Sequence, residues 1–293
     1  MPEYRLEMRH NFHMTIDLKD IHSQADPITT YQEAMTDVIE LLGGVTPSQW
    51  ESPTPCPGWT VADIAAHLID LDAMVVNGTA VDHEPSWDSL PHVKSESSKF
   101  TERGVDFRRG TSSTDLLEQL TSTSQELIKH IQLHGLEFQV PWVKGELSVD
   151  QFLSLRTFDI WVHEQDIRSA LGVPGNLGGN PARTSAQRMI SALPLIWGKK
   201  VGAHPGSIIT LHITGPEIVG AATIMINQDG RAVFTELTES EVEVDSDVNS
   251  VSMSWPSFND AFCGRIEVDA IVASANLTGS LAEGFVSQLP STP

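Results

Sequence analysis

Apolar positions divide the chain into two parts with different periodicity. Up to about residue 202 apolar residues recur at helical spacing, and from about residue 206 apolar and polar residues alternate as in β-strands. Thr60, with Asp63 three residues later, predicts the N-terminus of the second helix. The predicted helices cover residues 28–42, 60–77, 114–133 and 148–171. Because only the polar, irregular stretch 79–112 is a long connection, these four helices predict an antiparallel bundle.

The second part of the chain contains short alternating segments separated by turns, preceded by a predicted helix from Pro181 to about Lys200 that leads into it. The predicted strands cover residues 207–214, 222–227, 232–237, 241–245 and 250–255, and helices are predicted over 256–263 and 276–289. Asp229-Gly230 predicts a hairpin turn. The fold class is therefore mixed, with a helical bundle followed by a small α+β domain. The predicted limits are 1–26 for a flexible N-terminal extension, 27–202 for the bundle and 203–293 for the α+β domain.

Charge and cysteine content narrow the classes of function. The formal net charge is −21, with only 18 lysines and arginines, so the surface disfavours nucleic acid and anionic membranes as partners. An anionic substrate needs a local cluster of these few cations. The first twenty residues lack an apolar signal region and no apolar run reaches the ~18 residues of a membrane span, so we expect a cytoplasmic protein. The two cysteines, Cys56 and Cys263, fit a reducing compartment, where each is expected to be a small buried residue.

The fourth predicted helix carries residues able to bind a cation. Asp159 and His163 are four residues apart, so both project from one helical face and can reach one ion. Asp166 lies on the same face and is able to accept a hydrogen bond from an imidazole N–H group. Arg156 also projects there. A hydrogen-bonded Asp159–His163 pair without a metal is the alternative interpretation of this spacing.

The second predicted helix adds a histidine, His67, among apolar neighbours. It is either a core residue or a third ligand, if this helix faces the fourth. Two imidazoles and one carboxylate leave coordination positions open, as in catalytic zinc sites. His130 and His134, also four apart, are the rival pair. Their place at the end of the third helix explains them through a favourable interaction with the helix C-terminus.

Two segments carry a family resemblance. TPCPGWTVADIAAHL (54–68) and RTFDIWVHEQDIRSALG (156–172) together resemble the mycothiol-dependent maleylpyruvate isomerase family, whose metal-binding domain is a DinB-like four-helix bundle. The resemblance implies that His67, Asp159 and His163 are the metal ligands. The isomerase is similar but has Glu where this chain has Asp159, which is one methylene shorter. The ligand types suit zinc as the divalent ion.

The C-terminal part is similar to the second domain of that family, which resembles a sterol-carrier fold. The similarity lies in SWPSFNDAFCGR (254–265), and it implies that Arg265 binds the carboxylates of the substrate. The alternative is that Arg265 is only a surface residue at the start of a strand, without a role in binding. Arg156 and Arg168 are the rival cations, because both lie beside the proposed metal face.

The resemblance also implies a function. Mycothiol, a low-molecular-weight thiol, would be the cosubstrate, and a metal-bound thiolate would add to a small-molecule electrophile. Elimination after rotation gives cis–trans isomerisation, whereas retention of the adduct gives thiol transfer. The alternatives are a non-catalytic, metal-stabilised module that binds a small ligand, and a regulatory protein that keeps only the fold.

Overall fold

The computed structural model describes residues 16–142, 145–236 and 247–290. The helices are α1 (Pro27–Gly43), α2 (Val61–Asn77), α3 (Glu96–Arg108), α4 (Ser113–His134), α5 (Val149–Leu171), α6 (Gly179–Leu195), α7 (Trp255–Phe262), α8 (Val268–Ser274) and α9 (Ala282–Ser287). The strands are β1 (Ile16–Asp17), β2 (Gln139–Trp142), β3 (Gly145–Ser148), β4 (Ile208–Thr214), β5 (Gly220–Ile226), β6 (Ala232–Phe234), β7 (Val248–Ser254) and β8 (Asn276–Thr278). The predicted order, a helical region followed by a strand-containing region, is confirmed. No helix among these residues is both long enough and apolar enough to cross a membrane.

Helices α1, α2, α4 and α5 form the bundle, in which α1 packs on α5 and α2 packs on α4. Local sequence sets the starts of α2 and α5, the two helices that carry the predicted metal ligands. Thr60 and Asp63 form a reciprocal capping box at the start of α2, and Ser148 and Gln151 form another at the start of α5. The inward faces supply a continuous apolar core, to which α5 contributes Phe152 among others. Burial of these faces is the main source of stability of the bundle.

The sheet has the order β1-β5-β4-β7-β8, and β6 pairs with β5. β4 runs antiparallel to β5 and parallel to β7. Helix α6 packs against this sheet, where Met189 and Leu193 lie in the same apolar core as Ile209 of β4. Leu18 and Ile21, which lie in the predicted N-terminal extension, are buried in this core as well. The domain limits drawn from the sequence remain a prediction.

Helix α5 belongs to both cores, and this decides where the site lies. Phe152 and Ile160 pack into the bundle, while Trp161 and Val162 pack into the core of the sheet. The Trp161 ring stacks on Trp255 at the start of α7, with ring centroids 5.4 Å apart. The face of α5 that bears Asp159 therefore lies at the junction of the two apolar cores.

Two local predictions differ from the structure, and some of its elements were not predicted. Residues 79–112 were expected to be irregular, but they contain α3; its buried positions are only Glu102, Gly104 and Val105, too few for a recognisable apolar stripe. Residues 276–289 were expected to be one helix, but they form β8 and α9, separated by Gly279, whose φ is +93°. The β2–β3 hairpin was not predicted. The expected strand 241–245 lies outside the described residues.

Candidate metal centre

Helices α2 and α5 bring His67, Asp159 and His163 together. The Nε2 atom of His67 lies 3.4 Å from both carboxylate oxygens of Asp159, and the Nε2 atom of His163 lies 3.6 Å from Asp159 Oδ1. Both imidazoles are buried, whereas the Asp159 side chain is 25% exposed. The cluster is therefore closed by protein on the histidine side and open to solvent at the carboxylate.

These separations distinguish a shared ion from a direct hydrogen bond. A strong N–H···O hydrogen bond is about 2.7–3.2 Å long, shorter than the three contacts here. Ligand atoms 2.0–2.2 Å from one tetrahedral zinc ion lie about 3.3–3.6 Å from each other. The three residues therefore fit a divalent ion better than they fit a hydrogen-bonded triad.

Asp166 binds the other side of His163. Its Oδ2 atom lies 3.0 Å from His163 Nδ1 and accepts a hydrogen bond from the Cys56 thiol at 3.1 Å. Arg265, which follows α7, donates from Nε to Oδ1 at 2.9 Å and from Nη2 to Oδ2 at 3.0 Å. A buried carboxylate thus meets a thiol, an imidazole and a guanidinium at one point.

Cys56, His163 and Asp166 form a second cluster of candidate ligands among the described residues. Its separation of 3.0 Å between His163 Nδ1 and Asp166 Oδ2 is that of a hydrogen bond. The guanidinium of Arg265 already neutralises Asp166 and occupies both of its oxygens. The first cluster, with His67 and Asp159, is consequently the better cation site.

Arg156 contacts Asp159, the solvent-exposed member of the cluster, from within the core. It is fully buried; its Nε donates to Asp72 Oδ1 at 2.8 Å and its Nη1 donates to Asp159 Oδ2. Tyr31 donates its hydroxyl to the other oxygen of Asp72. Arg156 Nη2 also donates to the carbonyl of Leu68, next to His67, at 3.1 Å. The guanidinium therefore joins α2 and α5 at the level of the candidate ligands.

The pKa values of these groups follow from burial and from their neighbours. Burial lowers the pKa of His67, which favours the neutral imidazole that a metal needs. Burial opposes ionisation of Asp159, but His67 and Arg156 hold its pKa well below the usual range. Burial also disfavours charge on His163, yet its hydrogen bond to Asp166 raises the pKa of that imidazole to about 10. The pKa of Asp166 falls to about 2, against the effect of burial, because His163 and Arg265 stabilise the carboxylate.

A turn before α2 covers both imidazoles. The Trp59 ring centroid lies 5.0 Å from that of His67 and 5.9 Å from that of His163. Trp59 Nε1 donates to the buried Glu102 of α3 at 2.8 Å. Gly58 has φ +79°, and a Cβ atom there would lie 2.4 Å from the His92 ring, so this position requires glycine.

The covering turn and its cysteine show what sequence reasoning missed. Trp59 lies in the segment that carries the family resemblance, but its contact with both histidines depends on the packing of α2 against α5. Cys56 is buried as expected, yet its thiol has a polar partner. Its place in segment 54–68, which carries the family resemblance, is the signal that could have placed it near the site.

The other predicted candidates do not belong to the cluster of His67, Asp159 and His163. His130 and His134 contact each other with ring centroids 4.2 Å apart, and neither belongs to a three-residue ligand cluster in the described ranges. Arg168 pairs with the buried Glu164 at 2.7 Å. The guanidinium of Arg265 is bound to Asp166, and its role towards a substrate carboxylate remains a prediction.

The chain is similar to a protein family and to several known proteins. Residues 31–168 match the family described as the mycothiol maleylpyruvate isomerase N-terminal domain. An uncharacterized protein of Mycobacterium tuberculosis is 25% identical over 153 residues, 51% of this chain and 59% of the relative, so the chain spans well under two thirds of that relative. A second uncharacterized protein of the same organism is 25% identical over 171 residues, 58% of this chain and 80% of the relative. A crystal structure of the mycothiol-dependent maleylpyruvate isomerase aligns with a TM-score of 0.49 and 14% identity, covering 87% of this chain and 92% of that one.

Proposed function

Because residues 31–168 belong to the mycothiol maleylpyruvate isomerase N-terminal domain family, we propose that the chain is a metal-dependent enzyme that uses mycothiol as its thiol cosubstrate. The second substrate is a small-molecule electrophile, and the reaction is either cis–trans isomerisation or thiol transfer. We assign the reaction to the cytoplasm, since a chain with only two cysteines suits a reducing compartment.

One observation carries the proposal: the contacts of 3.4–3.6 Å between Asp159 and the two imidazoles. His67, Asp159 and His163 would hold the ion, and this ligand set suits zinc. Three protein ligands leave a position for an exogenous ligand, which the 25% exposure of the Asp159 side chain makes accessible from solvent. A divalent ion held there would supply a stabilised thiolate at neutral pH, because a cation lowers the pKa of a coordinated thiol.

The surrounding residues orient and protect this site. Asp166 accepts the hydrogen bond from His163 Nδ1, which directs Nε2 towards Asp159. Arg156 holds one oxygen of Asp159. The ring of Trp59 shields both imidazoles from water on the side of the turn. The thiolate would add to an electron-poor alkene carbon, forming a C–S bond while the electron pair of the C=C bond moves to the conjugated carbonyl. After rotation about the remaining single bond, return of that pair would re-form the C=C bond and expel the thiolate, which gives isomerisation. Uptake of a proton from water instead would give the product of thiol transfer.

Cobalt substitution tests the roles of metal and thiol before the electrophile is identified. Cobalt(II) replaces the native ion in the full-length protein, and mycothiol is added while the visible spectrum is recorded. We expect a sulfur-to-cobalt charge-transfer band that is absent from His163→Ala treated in the same way. A cobalt-loaded protein whose spectrum does not change with mycothiol would contradict the role as cosubstrate.

Turnover is tested next with maleylpyruvate, the substrate in the name of the family that matches residues 31–168. Loss of the substrate with formation of its trans isomer, dependent on mycothiol, supports isomerisation. A stable mycothiol adduct supports transfer. Thiol binding without turnover on this and other electron-poor alkenes would favour the non-catalytic binding module.

A further inference from the structure

Arg265 connects the C-terminal domain to the candidate metal site through one carboxylate. Its guanidinium donates through all three nitrogens: Nε and Nη2 to the two oxygens of Asp166, and Nη1 to the carbonyl of Cys263 at 2.8 Å. The oxygen that accepts from Nη2 is also the one that lies 3.0 Å from His163 Nδ1. A continuous path of hydrogen bonds therefore runs from the segment after α7 to a proposed metal ligand on α5.

We propose that Arg265 is a positioning residue that acts through Asp166 on His163, so that docking of the C-terminal domain sets the affinity of the metal site. The inference rests on the proposed metal-dependent function. The family resemblance implies that Arg265 binds a substrate carboxylate directly. In the present proposal Arg265 acts indirectly instead, by positioning Asp166 and, through it, His163.

The geometry of the pair supports positioning. The side chains of Arg265 and Asp166 are only 8% and 3% exposed, so the two charges are held away from water. A planar guanidinium that binds both carboxylate oxygens fixes the plane of the carboxylate as well as its charge. Because the same Oδ2 atom faces His163 Nδ1, a fixed carboxylate plane fixes the direction in which the imidazole presents Nε2. Such supporting contacts typically change metal affinity by about 10- to 100-fold.

The same contacts argue against a direct role in anion binding. A substrate carboxylate could take over the two-point contact with Nε and Nη2 only by displacing Asp166. That carboxylate would then stay buried with the Cys56 thiol and His163 as its remaining partners in the described ranges. Leaving one member of a buried ion pair without its partner is strongly destabilising, so the exchange is unfavourable.

Zinc affinity of the full-length protein tests the proposal. Dissociation constants are measured by competition with a chromophoric chelator for the wild type, Arg265→Ala, Arg265→Lys and Arg231→Ala, with circular dichroism to verify folding. We expect Arg265→Ala to bind zinc about 10- to 100-fold more weakly. Arg265→Lys should recover part of the loss, because an ammonium group restores the charge but not the two-point contact. Arg231 is an exposed arginine of the same domain, and its replacement should change nothing.

A second readout follows the hydrogen bond itself in zinc-free protein. The imidazole N–H of His163 that faces Asp166 should give a slowly exchanging downfield proton resonance, identified by its loss in His163→Gln. The resonance should broaden or vanish in Arg265→Ala and persist in Arg231→Ala. Folded Arg265→Ala that keeps both this resonance and wild-type zinc affinity would overturn the proposal. A wild type that keeps the Arg265-dependent resonance but binds no zinc would instead refute the metal-dependent function, and with it the control of affinity.

Discussion

Replacing Arg156 by methionine removes the cation from a buried cluster of charges. The wild-type side chain is fully buried and pairs with Asp72 and Asp159, while Tyr31 donates to Asp72. Methionine replaces the aliphatic stem of arginine but cannot donate a hydrogen bond. The variant therefore leaves Asp72, which is 1% exposed, without its positive partner.

The expected loss of unfolding free energy is about 3–5 kcal/mol, the usual effect of removing one member of a buried ion pair. The loss should depend on pH. Burial raises the pKa of Asp72 even with Arg156 present. In the variant the folded state would hold this proton more tightly than the unfolded state does, so stability falls as pH rises. The destabilisation is therefore larger at pH 8 than at pH 5.

Urea unfolding followed by far-ultraviolet circular dichroism, with a chelator present to remove bound metal, measures this loss. Asp72→Asn and the double variant Asp72→Asn/Arg156→Met complete a double-mutant cycle. We expect a coupling free energy of about 2 kcal/mol, because the double variant no longer buries an unpaired charge at this position. A loss below about 1 kcal/mol for Arg156→Met at both pH values would refute the reasoning.

The remaining predictions concern the metal site. His67→Ala and His163→Ala should each reduce bound zinc to below about 0.1 equivalent per chain. The helical circular-dichroism signal should persist in both variants, because burial of apolar side chains stabilises the bundle. As a control, His134→Ala should keep the metal. Asp159→Glu should retain zinc, since a carboxylate remains at the exposed side of the site. Asp159→Ala should bind zinc more than about 100-fold more weakly, as measured by the same chelator competition. Trp59→Phe keeps the ring over the imidazoles but loses its hydrogen bond to α3, so unfolding in urea should show a loss of about 1 kcal/mol with unchanged zinc affinity.

The sequence predicted the parts of the site that depend on local structure. Asp159 and His163 share a face because they are four residues apart on one helix, and the capping box at Thr60 sets the start of the helix that bears His67. The helix order of the bundle followed from apolar periodicity in the same way. These features need no information beyond a window of about ten to twenty residues.

The parts that depend on packing between distant segments were not predictable. Arg265 is 99 residues from Asp166 in sequence, and only the docking of the sheet domain on α5 brings them together. The contact of Trp59 with Glu102 depends on α3, whose sparse apolar positions hide it in the sequence. Net charge implies that a substrate anion needs a placed cation, because cations are few in this acidic chain, and the family resemblance implies Arg265 for that role. Only the folded structure reveals that the protein supplies a carboxylate of its own to this arginine.

X-ray absorption at the zinc edge tests the central claim most directly. The full-length protein is loaded with one equivalent of zinc without added thiol. The account predicts a first shell of nitrogen and oxygen at about 2.0–2.2 Å with two imidazoles and no sulfur, as expected for His67, Asp159 and His163. A sulfur ligand at about 2.3 Å would contradict it, because that sulfur would place the metal in the cluster of Cys56, His163 and Asp166 instead.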